Sequence, residues 1–554
     1  MLPYDPMRAR WAEAVIVVLA AALITVVMTW PFAPRIFSAG RIDSGDGQFS
    51  VWNVAWVART LVVDPRGLYD ANIFYPHRGT LAFSEANLGA GALAVPFYWL
   101  SGGNPYFAHN AVLLLAFMLA MTGTYSLVRH LSGRREGAAA AAVVFAFCPY
   151  IFSHLPHIQL LMTAGLPYSL LAMHRFVERR TARRAVVLGL VLAAQALSCG
   201  YYGIFAGLLV GYGLLFYGVS RNLWRETRYW IGTAGAAALS VAIVLPFFLP
   251  YIELQQGSGF ARTLDDSRRW SATWRGYLVS PAWIHRWVRS LLTDWGEVLY
   301  PGTLALVAGF FGLRGLSRRH APAAGRDHVV FYATLVAIAA WSSFGPDAGL
   351  YSVLHTTIPV FAWLRAPSRF GLVVVLGLAV LGGFAMASWM SKVRRPALAG
   401  AVLVLAAMAD GFTAPLVLAE AKPVPAAYQS LARWPNGPVA EFPFFYLRMD
   451  FSRHSEYMLN STAHWKPLIN GYSDHIPADF RQMVIPLSSF PNPESFAILK
   501  RLRARYVVFH LDLYDHRAVV DLKARIEQYR DYLRPIRLED PVWLFQIAAW
   551  PPEH

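Results

Sequence analysis

The chain alternates long apolar runs with short linkers crowded with arginine, and that alternation excludes almost every soluble architecture. A helix needs about 20 apolar residues to cross the hydrocarbon core, where no water can satisfy its backbone N–H and C=O groups. Runs suited to crossing occur at 11–32, 105–128, 137–152, 158–175, 185–200, 203–220, 229–250, 300–314, 329–344, 370–390 and 397–416. Those at 137–152, 300–314 and 329–344 are short and read as tilted or partly re-entrant. Segment 89–101 is apolar too, but it is too short to span and is broken by Pro96, so it reads as an interfacial segment. Composition agrees: 56% of the 554 residues are hydrophobic, 15% are charged and mean hydropathy is +0.38. Too little polar surface remains to cover a globule of that length. The expected fold is an α-helical polytopic membrane protein of about 11 transmembrane helices.

Orientation follows from the cations, because short cytoplasmic linkers collect Lys and Arg. With Arg8 and Arg10 in the cytoplasm, the basic linkers at Arg129/Arg134/Arg135, Arg175–Arg184, Arg221–Arg228, Arg314–Arg326 and Lys392–Arg395 all fall on that side. Loops 33–104, 251–299 and 345–369 and the tail from 417 then lie outside, with nearly all the acidic residues. The net charge of +16 is explained by these linkers, and no nucleic-acid partner is implied. The run from Trp11 to Trp30 is long enough to span and has no small-residue cleavage site after it, which reads as a signal anchor. Cys148 and Cys199 both sit in apolar stretches, which argues against a disulfide framework or a thiolate metal site. No Walker-type phosphate loop occurs in the cytoplasmic linkers. The location implied is a bacterial inner membrane, multi-pass, with the N-terminus cytoplasmic.

Residues 417–554 read differently. Val439-Ala-Glu-Phe-Pro and Arg505-Tyr-Val-Val-Phe-His are short β-forming runs, and 537–545 looks like two strands joined at Glu539-Asp540-Pro541. Helical periodicity marks 491–502 and 519–532. The chain therefore divides into a membrane domain, 1–416, and a small extracytoplasmic α/β domain, 417–554.

Candidate chemistry lies on the outer side. Asp43-Ser-Gly-Asp46-Gly places two carboxylates three residues apart, suited to a divalent cation or a general base, or simply to a turn and helix N-cap. Glu85 is either a second carboxylate of that site or a solvated loop residue. In Ser153-His154-Leu-Pro156-His157-Ile-Gln159, Pro156 suits a helix start, so His157 and Gln159 would face an anion at a helix N-terminus. Two histidines three apart also suit a metal, and interfacial histidine is the plainer reading. Arg365 and Arg369 flank Pro367 on the outer side, against the charge trend; they need a lipid phosphate or an ion pair with Asp347 or Glu297. Tyr201 and Tyr202 either line the same cavity or belong to an aromatic belt.

The order of these motifs resembles the bacterial GT-C glycosyltransferases: Gly45-Asp46 with a Trp-bearing interfacial helix, Asn72-Ile-Phe-Tyr-Pro, Ser84-Glu85 and His157-x-Gln159. Gly296-Glu297-Val-Leu-Tyr-Pro-Gly302, Arg365-Ala-Pro-Ser-Arg369-Phe and 461–473 continue the likeness over most of the chain. The resemblance implies an inverting hexosyl- or pentosyltransferase that moves sugar from a polyprenyl-phosphate carrier to a glycan, lipid or protein acceptor of the cell envelope. It implies Asp46, with Asp43 and Glu85, as catalytic carboxylates. His154, His157, Gln159, Arg365, Arg369 and Tyr202 would bind the lipid phosphate or substrate, and a divalent metal would sit on Asp43, Asp46 and His157. The spacing of Asp43 and Asp46 is neither adjacent nor Asp-x-Asp, which departs from the usual pair. A non-catalytic scaffold and a lipid or glycan transporter are the rival classes. Transporters carry mid-membrane ionisable residues, and here Asp410 is the conspicuous one.

Overall fold

A computed structural model describes residues 6–42, 45–258, 263–316, 325–447 and 449–552. The chain forms two compact units: residues 1–34 with 112–416, and residues 35–111 with 417–554. Among the described residues six helices are long and apolar enough to cross a membrane: Trp11–Met28, Pro105–Ser132, Arg135–Ser153, Gly200–Ser220, Thr227–Gly257 and Pro367–Met390. Leu88–Leu100, Thr303–Leu316 and Pro396–Gly411 are shorter apolar helices. The run at 158–175 is divided into helices Ile158–Leu161 and Gly165–Glu178. Pro96 lies inside the continuous helix Leu88–Leu100 and does not break it. Proline deletes only its own N–H from the ladder, a loss that a short apolar helix can absorb.

In the first unit, ion pairs stitch the basic linkers into one layer. Glu13, at the start of the first span, accepts from Arg129 at 2.9 Å and pairs with Arg135 at 2.6 Å. His130 meets Glu178 at 2.7 Å, Arg180 meets Glu226 at 3.1 Å, and Arg221 donates to Asp327 at 2.8 Å. The linkers at 129–135, 175–184, 221–228 and 326–328 therefore share one end of the helices, as their charge implied. Backbone bonds gather the other end: Ala272 N–H to Ser343 at 2.8 Å, Ser368 N–H to Trp270 at 3.1 Å, and Trp283 N–H to Phe412 at 3.0 Å. Beside those linkers, His174 bonds the Tyr332 hydroxyl at 2.9 Å and the Tyr217 hydroxyl bonds His328 at 2.8 Å. Such side-chain bonds join helices where apolar contact alone does not discriminate between lipid and protein.

The second unit opens on a two-residue ribbon, β1 (Ala39–Gly40) antiparallel to β2 (Ala419–Glu420). Its main sheet has the order β3 (Val439–Phe442), β4 (Tyr506–His510), β6 (Val542–Ile547), β5 (Leu533–Glu539), with β3 and β4 parallel and the remaining pairs antiparallel. Helices Pro493–Arg501 and His516–Gln528 complete the expected α/β tail. Every residue of β3 and β4 is buried, as parallel strands covered on both faces require. Glu441 is the exception in character, fully buried, hydrogen-bonded by the Tyr428 hydroxyl and 2.7 Å from His510 Nε2.

The sheet continues past β3 into the first loop of the chain. Val439 N–H bonds Pro467 C=O and Ile469 N–H bonds Val439 C=O, both at 2.8 Å. The 468–470 stretch then pairs with Asn72–Tyr75 through Leu468 N–H to Asn72, Phe74 N–H to Asn470 and Tyr75 N–H to Leu468, at 2.8–3.0 Å. Gly471 closes this seam: a Cβ there would lie 2.7 Å from the Phe74 ring, itself packed on Phe83 and Phe480. Gly471→Ala is therefore expected to destabilise the protein by about 1–3 kcal/mol, the usual cost of overpacking. Gly235→Ala, whose Cβ meets open space, leaves it unchanged. Thermal unfolding of the detergent-purified protein reads the difference.

Candidate functional site

Asp46 occupies the first turn of helix Gly45–Val63, where unsatisfied N–H groups and the helix dipole favour a carboxylate. The Tyr472 hydroxyl donates to Asp46 Oδ1 at 3.0 Å, and the Phe49 ring packs edge-on against Tyr472. Two residues along, Ser455 donates to Gln48 Oε1 at 2.7 Å. Tyr472 directly follows Gly471, so the same backbone seam that pairs 468–470 with 72–75 delivers the phenol to the carboxylate. Tyr472 falls in the 461–473 stretch, where its sequence signal is only a polar aromatic beside a glycine. Glu85 belongs to the same unit, and its C=O accepts from Asn53 Nδ2 at 3.2 Å, about 10 Å along the helix from Asp46. Asp43 lies outside the described residues.

The first unit holds a second cluster. His154 is buried, with Nδ1 2.8 Å from Tyr150 C=O and Nε2 3.2 Å from Glu297. His157 packs 6.2 Å from His154, ring to ring. Burial pushes the Glu297 carboxyl up, but the bond to His154 and the charges of His154, Arg369 and His157 outweigh it and hold the group below its ordinary value. The Arg369 guanidinium lies 4.4 Å over the Tyr201 ring. Tyr201 in turn clamps the loop before Arg369, donating to Ala366 C=O at 2.9 Å and accepting from Ala366 N–H at 2.8 Å. Arg365 stacks separately, 5.6 Å over Trp270. Tyr202 is fully buried, and its hydroxyl serves Leu160 C=O at 3.2 Å and the Tyr150 hydroxyl at 3.3 Å. It props the segment that carries His154, His157 and Gln159. Gln159 presents a buried Oε1 with no hydrogen-bond partner among the described residues.

The ion-pair alternatives resolve individually. Asp347 pairs with Arg268 at 3.0 Å, whereas Glu297 is engaged by His154 and acted on by Arg369 through space. Asp410, the carboxylate of the last apolar helix, accepts from Leu304 N–H at 3.0 Å and lies 2.7 Å from His285 Nε2. It thereby satisfies an N–H in the first turn of helix Thr303–Gly312. For the metal expected on Asp43, Asp46 and His157, no group of three or more His, Cys, Asp or Glu among the described residues is arranged to hold an ion.

The chemistry available is of two kinds: an oriented carboxylate able to take a proton from a hydroxyl, and an Arg–His cluster able to neutralise an anion. The cluster has a pH signature. Because Glu297 is depressed, its contribution to stability is present above the ordinary carboxylate range and is lost as pH falls through its folded value. Glu297→Gln is expected to lower the unfolding midpoint at pH 7, and the gap from the native protein should close as pH drops below about 4.5.

No protein-family profile matches this sequence, and no curated protein does. Among solved structures the chain is similar to the apo oligosaccharyltransferase of Archaeoglobus fulgidus, with 16% identity over 94% of this chain and 72% of that one, at TM-score 0.51. It is also similar to the arabinofuranosyltransferase AftD from Mycobacteria, with 16% identity over 98% of this chain and 41% of that longer one, at TM-score 0.55. At this identity the likeness is one of fold, and both are GT-C glycosyltransferases. The chain therefore shares the fold of these two transferases: helices long and apolar enough to cross a membrane, together with a small α/β sheet.

Proposed function

We propose that this protein transfers a sugar from a polyprenyl-phosphate carrier to a cell-envelope acceptor on the non-cytoplasmic face of the bacterial inner membrane. The observation that carries the reading is Asp46. It stands at the start of the first helix beyond the first span, its carboxylate bonded by the hydroxyl of a tyrosine more than 400 residues away. In this reading Asp46 takes the proton of the acceptor hydroxyl, which attacks the anomeric carbon with inversion, and the carrier phosphate departs with the C–O bond electrons. The Arg369–His154–His157 cluster of the first unit, with Arg365 nearby in sequence, is suited to the negative charge of a lipid phosphate, a role that favours bidentate guanidinium. Glu297 keeps His154 oriented and Tyr201 sets the height of Arg369. The acceptor is a glycan, lipid or protein hydroxyl, and the sugar a hexose or pentose.

Asp46→Asn in purified protein given a polyprenyl-phosphate sugar and envelope acceptors is expected to lose transfer by 10²- to 10⁴-fold, the usual span of general-base catalysis. Tyr472→Phe keeps the base but loses its orienting bond, so a smaller fall in kcat with little change in KM is expected. Full transfer by Asp46→Asn overturns the assignment. Arg369→Gln is expected to raise KM for the lipid-linked donor.

A further inference from the structure

The segment 283–291 carries a surface that the transferase reading does not use. Trp283 N–H bonds Phe412 C=O at 3.0 Å, its indole N–H bonds Ala414 C=O at 2.8 Å, and His285 Nε2 lies 2.7 Å from Asp410. The Thr303 hydroxyl lies 3.2 Å from the same imidazole nitrogen. These bonds pin residues 283–285 to the end of helix Pro396–Gly411 and the start of helix Thr303–Gly312, two of the shorter apolar helices. The segment therefore sits at the depth where their apolar lengths end.

From that anchor a short helix, Arg286–Leu291, projects with apolar side chains uncovered: Ile284 is 52% exposed, Trp287 61% and Leu291 71%. Arg286 stacks 3.9 Å over the Trp283 ring and Arg289 5.2 Å over that of Trp295. Both arginines are exposed, and among the described residues neither has a carboxylate within ion-pair distance. No acidic residue occurs anywhere from 267 to 293. Stacking occupies the face of a guanidinium and leaves its N–H edge for a planar oxygen pair. Large apolar side chains held beside helix ends, with indoles and unneutralised guanidiniums among them, suit the headgroup layer and a phosphodiester.

We propose that residues 283–291 form a foot that lies in the adjoining leaflet and binds the phosphates of anionic phospholipids through Arg286 and Arg289. The assignment is independent of the transferase reading and uses none of its residues.

The test uses the full-length protein in nanodiscs of phosphatidylcholine with or without phosphatidylglycerol. Cys148 and Cys199 are buried, so W287C is labelled selectively with bimane. Nitroxide at headgroup depth on the lipid is expected to quench the label at least twofold more strongly than aqueous iodide. Native mass spectrometry is expected to show phosphatidylglycerol retained by the native protein and held roughly tenfold or more weakly by R286Q/R289Q, given the usual contribution of an arginine at an anionic surface. Both side chains are exposed, so the double variant should melt as the native protein does. Iodide quenching without lipid quenching places the foot in water and overturns the proposal. Quenching by neither means that protein covers the face, which also overturns it, as does unchanged phosphatidylglycerol retention in R286Q/R289Q.

Discussion

One side chain without access to water, Asn470, holds the second unit together. Its Oδ1 accepts from Glu441 N–H at 2.8 Å, its Nδ2 donates to Glu441 C=O at 2.9 Å, and its own C=O receives Phe74 N–H at 3.0 Å. The carboxamide thus imitates a strand residue toward β3 while its backbone recruits the first loop. Buried amide groups left unpaired cost about 1–3 kcal/mol each, so these bonds are demanded by burial as much as they are stabilising. Gly471 then brings the chain under the Phe74 ring and Tyr472 reaches Asp46. Three successive residues provide the joint, the clearance and the orienting phenol.

The membrane part was legible because its determinants are local. Apolar runs and arginine linkers are forced by the bilayer at each crossing, and the ion pairs from Glu13 through Asp327 gather those linkers at one end of the helices. The tail strands at 439–442 and 506–510 and the Glu539-Asp540-Pro541 hairpin were likewise visible as β-forming runs punctuated by turn residues. Pairing between distant segments was not visible. Nothing in Asn72-Ile-Phe-Tyr-Pro announces that it edges a sheet some 400 residues downstream, because register between remote strands is a tertiary property.

The candidate residues show the same division. Residue types suited to chemistry were identifiable, yet which of them meet was not. Tyr202, readable as a cavity or a belt residue, is buried and bonds Leu160 C=O, whereas its neighbour Tyr201 carries the Arg369 guanidinium; the turn of side-chain direction along a helix separates them. Glu297 could be paired on paper with arginine, but the imidazole of His154 is the group that reaches it. Sequence spacing across loops leaves such choices open, and packing closes them.

The second unit draws its parts from residues 35–111 and 417–554, with about 300 residues synthesised in between. At roughly 5–20 residues per second, the early segment waits about 15–60 s before its complementary strand exists. During that interval Asp46 has no Tyr472 to orient it, and the edge at 72–75 has no partner. Maturation is therefore gated by completion of translation: a truncated or stalled product retains its membrane helices but lacks the phenol and the seam that shape its carboxylate.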